Sequence, residues 1–179
     1  MSLLFSLSVS TGILSALLVW FTGLFDIASW LAFLGATGYF ACTDKGFKGL
    51  TQVFLTTFSG AGWAILIIIA SSYLQGDIGS YVATGVFAFC MCIQAKFNLL
   101  KFIPGTFMGA AAIFSANGQW VSAFLGLFIG AIFGFLMNYS GELLHKYSAM
   151  IVNNKSDNKS DNNSNNNVVN RSANKTIKD

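Results

Sequence analysis

Charge is the scarcest material in this 179-residue sequence: Asp, Glu, Lys and Arg make up 9% of it, against 54% apolar residues. So little polar material does not cover the surface of a water-soluble domain, and the composition defines a membrane protein. Histidine occurs once, at His145, and proline once, at Pro104. The cysteines, Cys42, Cys90 and Cys92, are odd in number, lie in apolar surroundings and lack C-x-x-C spacing. That points to neither a disulfide framework nor a zinc site. The net charge of +3 is small and spread over the chain, which leaves no nucleic-acid footprint. The opening stretch MSLLFSLSVSTGILSALLVWF has no basic region and no A-x-A-like cleavage site, so it reads as a retained first span.

What is present is a series of apolar segments, at residues 3–25, 27–42, 50–74, 78–94, 102–116 and 120–138. Each is a helix candidate, and the expected fold is an all-α integral membrane protein of six transmembrane helices over residues 1–150. About 20 residues cross a ~30 Å hydrocarbon core, so the second and fifth segments are short for the task. Lys45 and Lys48 follow the second segment, Lys96 and Lys101 the fourth, and Lys146 the sixth, so with six crossings all five share one face. The positive-inside rule then places both termini in the cytoplasm. Trp20, Trp30, Tyr73, Tyr81 and Trp120 stand near the opposite ends, as interfacial anchors do. Residues 151–179 are polar and rich in Asn, and read as a disordered cytoplasmic tail.

The six segments contain no Asp, Glu, Lys, Arg or His. Proton-coupled pumps and metal-dependent intramembrane enzymes need such groups in the bilayer, so the chain is expected to be no enzyme, with no catalytic residue, cofactor or metal site. Glu142 and His145, at i and i+3, read as a solvated helix end.

Segments one to three and four to six share a rhythm. Thr11-Gly12 falls on Thr84-Gly85, Phe33-x-Gly35 on Ile103-x-Gly105, and Gly60-Ala61 on Gly130-Ala131, at offsets of 70 to 73 residues. Three spans per unit is an odd number, so a repeat would be an inverted 3+3 arrangement, as in many transporters. The short segments FLGATGYFAC and FIPGTFMGAAA then mark the candidate pathway lining: Gly35, Thr37, Gly38, Tyr39, Pro104, Gly105, Thr106 and Gly109. Their glycines, and Pro104 without an N–H, let backbone groups go unpaired, which the bilayer tolerates only beside protein or a wet cavity. Two other readings stand beside this one: Pro104 simply opens a helix, and Gly105-x₃-Gly109 is a packing face. Lys45, Lys48, Gln94, Lys96 and Lys101 form a candidate inner mouth. Small-residue ladders at Ser122, Gly126, Gly130 and Gly134, and at Thr56, Gly60 and Ala64, read as helix-packing faces.

The motifs TGILS at 11–15, YFAC at 39–42, KGL at 48–50, CIQAK at 92–96 and PGTFMGA at 104–110 carry a resemblance. In that order they are similar to the family of bacterial inner-membrane proteins of unknown function typified by YcdZ, over roughly residues 4 to 140. The resemblance implies a multi-pass inner-membrane protein and supplies no substrate. The segment from Trp30 to Trp63 is also similar to the membrane half of aromatic-acid and fusaric-acid exporters. The expected function is a small channel, facilitator or transporter for a neutral or anionic solute. The alternative is a non-transporting scaffold or accessory subunit that binds partners, or a second copy of itself, through its glycine faces.

Overall fold

In the computed structural model the chain is all-helical. It describes residues 2–74, 77–116 and 119–151 in full, and the backbone alone over 152–176. Six α-helices follow one another among these residues: α1 (Leu3–Leu24), α2 (Ser29–Ala41), α3 (Gly46–Tyr73), α4 (Asp77–Ile93), α5 (Ile103–Ser115) and α6 (Trp120–Thr176). The expected tail falls within 151–179, where no side chain after Ile151 belongs to the described residues, and the helical backbone of α6 continues to Thr176.

Local chemistry explains the helix ends. Ser2 caps α1 by accepting the Phe5 N–H at 3.3 Å. At the other end Asp26 adopts φ 52° while the Ile27 N–H reaches back to the Thr22 carbonyl at 3.0 Å, a Schellman-type close. Asp77 places a carboxylate at the positive end of the α4 dipole. Pro104 sits in the first turn of α5, where its missing N–H leaves nothing unpaired, so α2 and α5 are both continuous helices.

Four stretches are long and apolar enough to cross a membrane: Leu3–Leu24, Gly46–Tyr73, Asp77–Lys96 and Trp120–Ile151. α2 and α5 have 13 residues each, roughly 20 Å of helix.

Side-chain contacts fix the relative directions. Leu7 meets Gly141 while Phe21 meets Phe133, so α1 and α6 are antiparallel. Phe54 stacks on Phe128 and Phe58 lies against Phe124, so α3 and α6 are antiparallel too. Gly126 meets Leu31 and Gly134 meets Ala36, which makes α2 parallel to α6. Gln94 meets Ser59 and Phe87 meets Trp63, which makes α4 antiparallel to α3. Phe102 packs in one cluster with Val53, and Ile113 in another with Ala64, so α5 runs with α3. Successive helices therefore alternate in direction, and two units of three are inverted relative to each other.

The units exchange partners symmetrically, because α2 lies on α6 as α5 lies on α3, and α1 on α6 as α4 on α3. The closest contacts repeat as well. A methyl at Gly60 would overlap the Thr106 carbonyl, and one at Gly130 the Ala32 carbonyl. A methyl at Gly109 would overlap the Thr57 carbonyl, and one at Gly35 the Leu127 carbonyl. Gly60 and Gly130 are 70 residues apart, as are Thr57 and Leu127, while Ala32 and Thr106, like Gly35 and Gly109, are 74 apart. The structural partner of Gly35 is thus Gly109, one helical turn beyond the Gly105 that sequence matching pairs with it. Only glycine permits this approach of helix backbones, which is how small residues hold helices together without a hydrophobic drive between them.

Candidate functional site

Along α3 the residues Gln52, Thr56, Ser59 and Trp63 recur at helical spacing, so one face of an otherwise apolar helix is polar. Near the middle of that face α4 ends. The chain continues through two short 3₁₀ turns, Gln94–Lys96 and Asn98–Leu100, separated by an extended Phe97. At the break, the Gln94 side chain turns inward and is 7% exposed. Its Oε1 accepts from Ser59 Oγ at 2.6 Å and from Trp63 Nε1 at 2.8 Å, and its Nε2 donates to Thr106 Oγ1 at 2.9 Å. An indole N–H only donates, so the amide orientation follows from Trp63. Removing an amide from water without partners costs about 2–7 kcal/mol, and here three partners drawn from α3 and α5 satisfy it. The corresponding place in the other unit is apolar: Phe21, 73 residues before Gln94, lies 6.0 Å from Phe133, 70 residues after Trp63.

Two clefts open at opposite ends of the bundle. The first, of about 480 Å³, is lined by Asp44, Lys48, Thr51, Gln52, Asn98, Leu99 and Lys101. Asp44 Oδ1 pairs with Lys48 Nζ at 3.3 Å and Oδ2 with Lys101 Nζ at 3.1 Å. Hydrogen bonds from Lys101 and then Lys48 hold the Asp44 carboxyl below its usual range. The second cleft, of about 230 Å³, is lined by Asp26, Trp30, Ser115, Gln119, Ser122 and neighbours, with no basic group among the described residues. Gln52 in the first and Ser122 in the second are 70 residues apart, the same offset that relates α3 to α6. Each short helix joins the two: α2 begins at Ser29, beside Trp30, and ends just before Asp44, while α5 begins after Lys101 and ends at Ser115.

The structure distributes the sequence candidates among several roles. Gly35 and Gly109 are the helix contacts described above, and Gly105 lies against Thr56 Oγ1 and the Phe102 ring. A methyl at Gly38 would stand 3.3 Å from Val53 and 3.5 Å from Met108. Thr37 faces outward and its hydroxyl donates to the Phe33 carbonyl at 2.7 Å. Pro104 is exposed. Tyr39 is buried, its hydroxyl accepting the Gly46 N–H at 2.9 Å. Thr106 is fully buried against Gln94. Of the lysines, Lys48 and Lys101 share Asp44, Lys45 donates to the Phe40 carbonyl at 3.2 Å above the Tyr39 ring, and Lys96 is exposed. Gly60, Gly126, Gly130 and Gly134 all pack against helices of the same chain. Sequence reasoning passed over Asp44, Gln52, Ser59 and Trp63. The signal was the polar spacing along α3, which the small-residue ladder through Thr56 and Gly60 masked.

Fold and composition together define an integral membrane protein with a pseudo-symmetric helical core. The chain belongs to the family described as protein of unknown function DUF1097, whose model matches residues 8–142. It is 47% identical to the inner membrane protein YcdZ of Salmonella typhimurium LT2 over 142 residues, covering 79% of this chain and 89% of the relative. To the inner membrane protein YcdZ of Escherichia coli K12 it is 43% identical over 158 residues, 88% of this chain and 97% of the relative. The uncharacterized protein YahC of Escherichia coli K12 is 28% identical over 122 residues, 62% and 74% of the two chains. No solved structure matches.

Proposed function

We propose that this protein is a small-solute transporter of the bacterial inner membrane, built on a 3+3 inverted repeat with both termini in the cytoplasm. The observation that carries the reading is the pair of equivalent clefts at opposite ends of the bundle, joined by the two short helices. The short helices cross because the clefts thin the structure at their ends, which reconciles roughly 20 Å of helix with a ~30 Å core. The solute route follows the polar face of α3, from the Asp44 cleft past Gln52 and Thr56 to the break at Gln94, where α3, α4 and α5 meet. The interface between inverted repeats is where such transporters place their substrates. Beyond the Asp44 cleft the route from Gln52 to Gln94 passes no ionisable side chain, so passage is passive, and no enzymatic step is proposed.

The scaffold alternative has less support, since the packing glycines expected to receive a partner, Gly60, Gly126, Gly130 and Gly134, are occupied within the chain. Flux into proteoliposomes, with a panel of neutral solutes and organic anions, tests the transport reading. Accelerated entry of at least one solute supports it, and rates equal to those of protein-free liposomes across the panel contradict it.

A further inference from the structure

In the first cleft two ammonium groups are already bridged by an oxyanion that belongs to the chain. Asp44 gives one carboxylate oxygen to Lys48 and the other to Lys101, so a single negative charge faces two positive ones. Each ammonium carries three N–H donors; Asp44 accepts one from Lys48 and pairs by charge with Lys101. The remaining donors border a cleft of about 480 Å³ that also presents Asn98 and Gln52. Among the described residues the equivalent cleft at the other end carries Asp26 and no cation, so the positive character is not a general property of such clefts. It also arises between units: Lys48 stands on α3 of the first and Lys101 just before α5 of the second.

We infer that this cleft is a binding site for a phosphate group, held by the ammoniums of Lys48 and Lys101 on the sides turned away from Asp44, with the Asn98 amide beside them. Phosphate suits the site better than carboxylate, because its tetrahedral oxygens reach two ammoniums and an amide at once, and such bonds are charge-assisted. The same chemistry is offered by a soluble phosphate ester and by the headgroup of an anionic phospholipid, and a basic pocket between helices on the cytoplasmic side fits both. The site requires the cleft and not passage of a solute, so binding is measured apart from flux.

The test uses the full chain in phosphate-free maltoside micelles, with thermal unfolding followed by tryptophan fluorescence. One arm adds glycerol phosphate at constant ionic strength, and the other adds phosphatidylglycerol, with phosphatidylcholine as control. A saturable rise of the midpoint in the first arm identifies a soluble phosphate ester, and one in the second a headgroup. In either case Lys48→Gln/Lys101→Gln should weaken the apparent affinity at least tenfold, while Lys96→Gln, outside the cleft, should leave it unchanged. Should the double variant fold poorly, Asp44→Asn supplies an independent reading: freeing both ammoniums should tighten binding severalfold. No rise in either arm, an equal rise with sodium chloride, equal affinity in the double variant, or no tightening in Asp44→Asn would overturn the assignment.

Discussion

The α-carbon of Gly60 lies against the carbonyl of Thr106, and 70 residues later Gly130 lies in the same way against Ala32. These two contacts tie α3 to α5 and α6 to α2 and are the clearest trace of the repeat. Gly60→Ala and Gly130→Ala should therefore destabilise the fold by similar amounts, about 1–3 kcal/mol each, the range for forcing atoms into a packed interior. Gly12→Ala and Gly85→Ala, where a methyl meets nothing within 4 Å, should leave it unchanged or slightly more stable. Thermal midpoints in detergent check this, and four equal shifts would contradict the packing described.

Gln94 should be worth more than its size suggests. Gln94→Leu leaves the Trp63 indole, the Ser59 hydroxyl and the Thr106 hydroxyl without this partner, an expected loss of about 1–3 kcal/mol. A double-mutant cycle with Thr106→Val should show a coupling above about 0.5 kcal/mol, as groups in one network do. Additive effects would mean that the amide does not join α4 to α5.

How much of this was legible in the sequence differs from residue to residue. The apolar segments placed all six helix starts within a few residues, since the bilayer demands long apolar runs and the turns carry Asp, Lys and Gly. The repeat was visible in Gly60 and Gly130, which keep one offset. It was blurred in the short helices, where the offset is 74 and a neighbouring glycine, Gly105, offered a false match. The end of α4 was legible, since the fourth apolar segment closes at residue 94, but CIQAKFN gives no sign that Gln94 turns inward. It is stabilised from outside, by Ser59, Trp63 and Thr106, and a partner 31 to 35 residues back in the chain is invisible to local pattern. The Tyr39 hydroxyl meeting the Gly46 amide spans only seven residues, but it depends on how the turn between α2 and α3 folds back, which local pattern does not show.

The Asp44 carboxyl is held down by Lys101 and Lys48, which fixes the direction of its pH dependence. A carboxyl with a depressed folded value contributes its stability above its unfolded value, near 3.9, and loses it as pH falls through the lower folded value. The difference in thermal midpoint between the native chain and Asp44→Asn should stay flat from about pH 8 to pH 5 and close only below about pH 4. A difference that closed between pH 7 and pH 5 would contradict the ion pairs.

Lys101→Met should disturb the cleft in a way that Lys96→Met does not, because Lys101 reaches Asp44 whereas Lys96 is exposed. Alkylation of an introduced Asn98→Cys, in a background without Cys42, Cys90 and Cys92, should quicken with Lys101→Met and be unaffected by Lys96→Met. Equal rates in both would show that the Asp44–Lys101 pair does not restrain this mouth.

If the molecule transports, its two equivalent clefts open on opposite faces of the membrane. In that same background, Asn98→Cys and Gln119→Cys, expressed one at a time, are exposed to a membrane-impermeant thiol reagent in intact spheroplasts and in inverted vesicles. Gln119→Cys should label only in spheroplasts and Asn98→Cys only in inverted vesicles; labelling of both from the same side would contradict clefts on opposite faces.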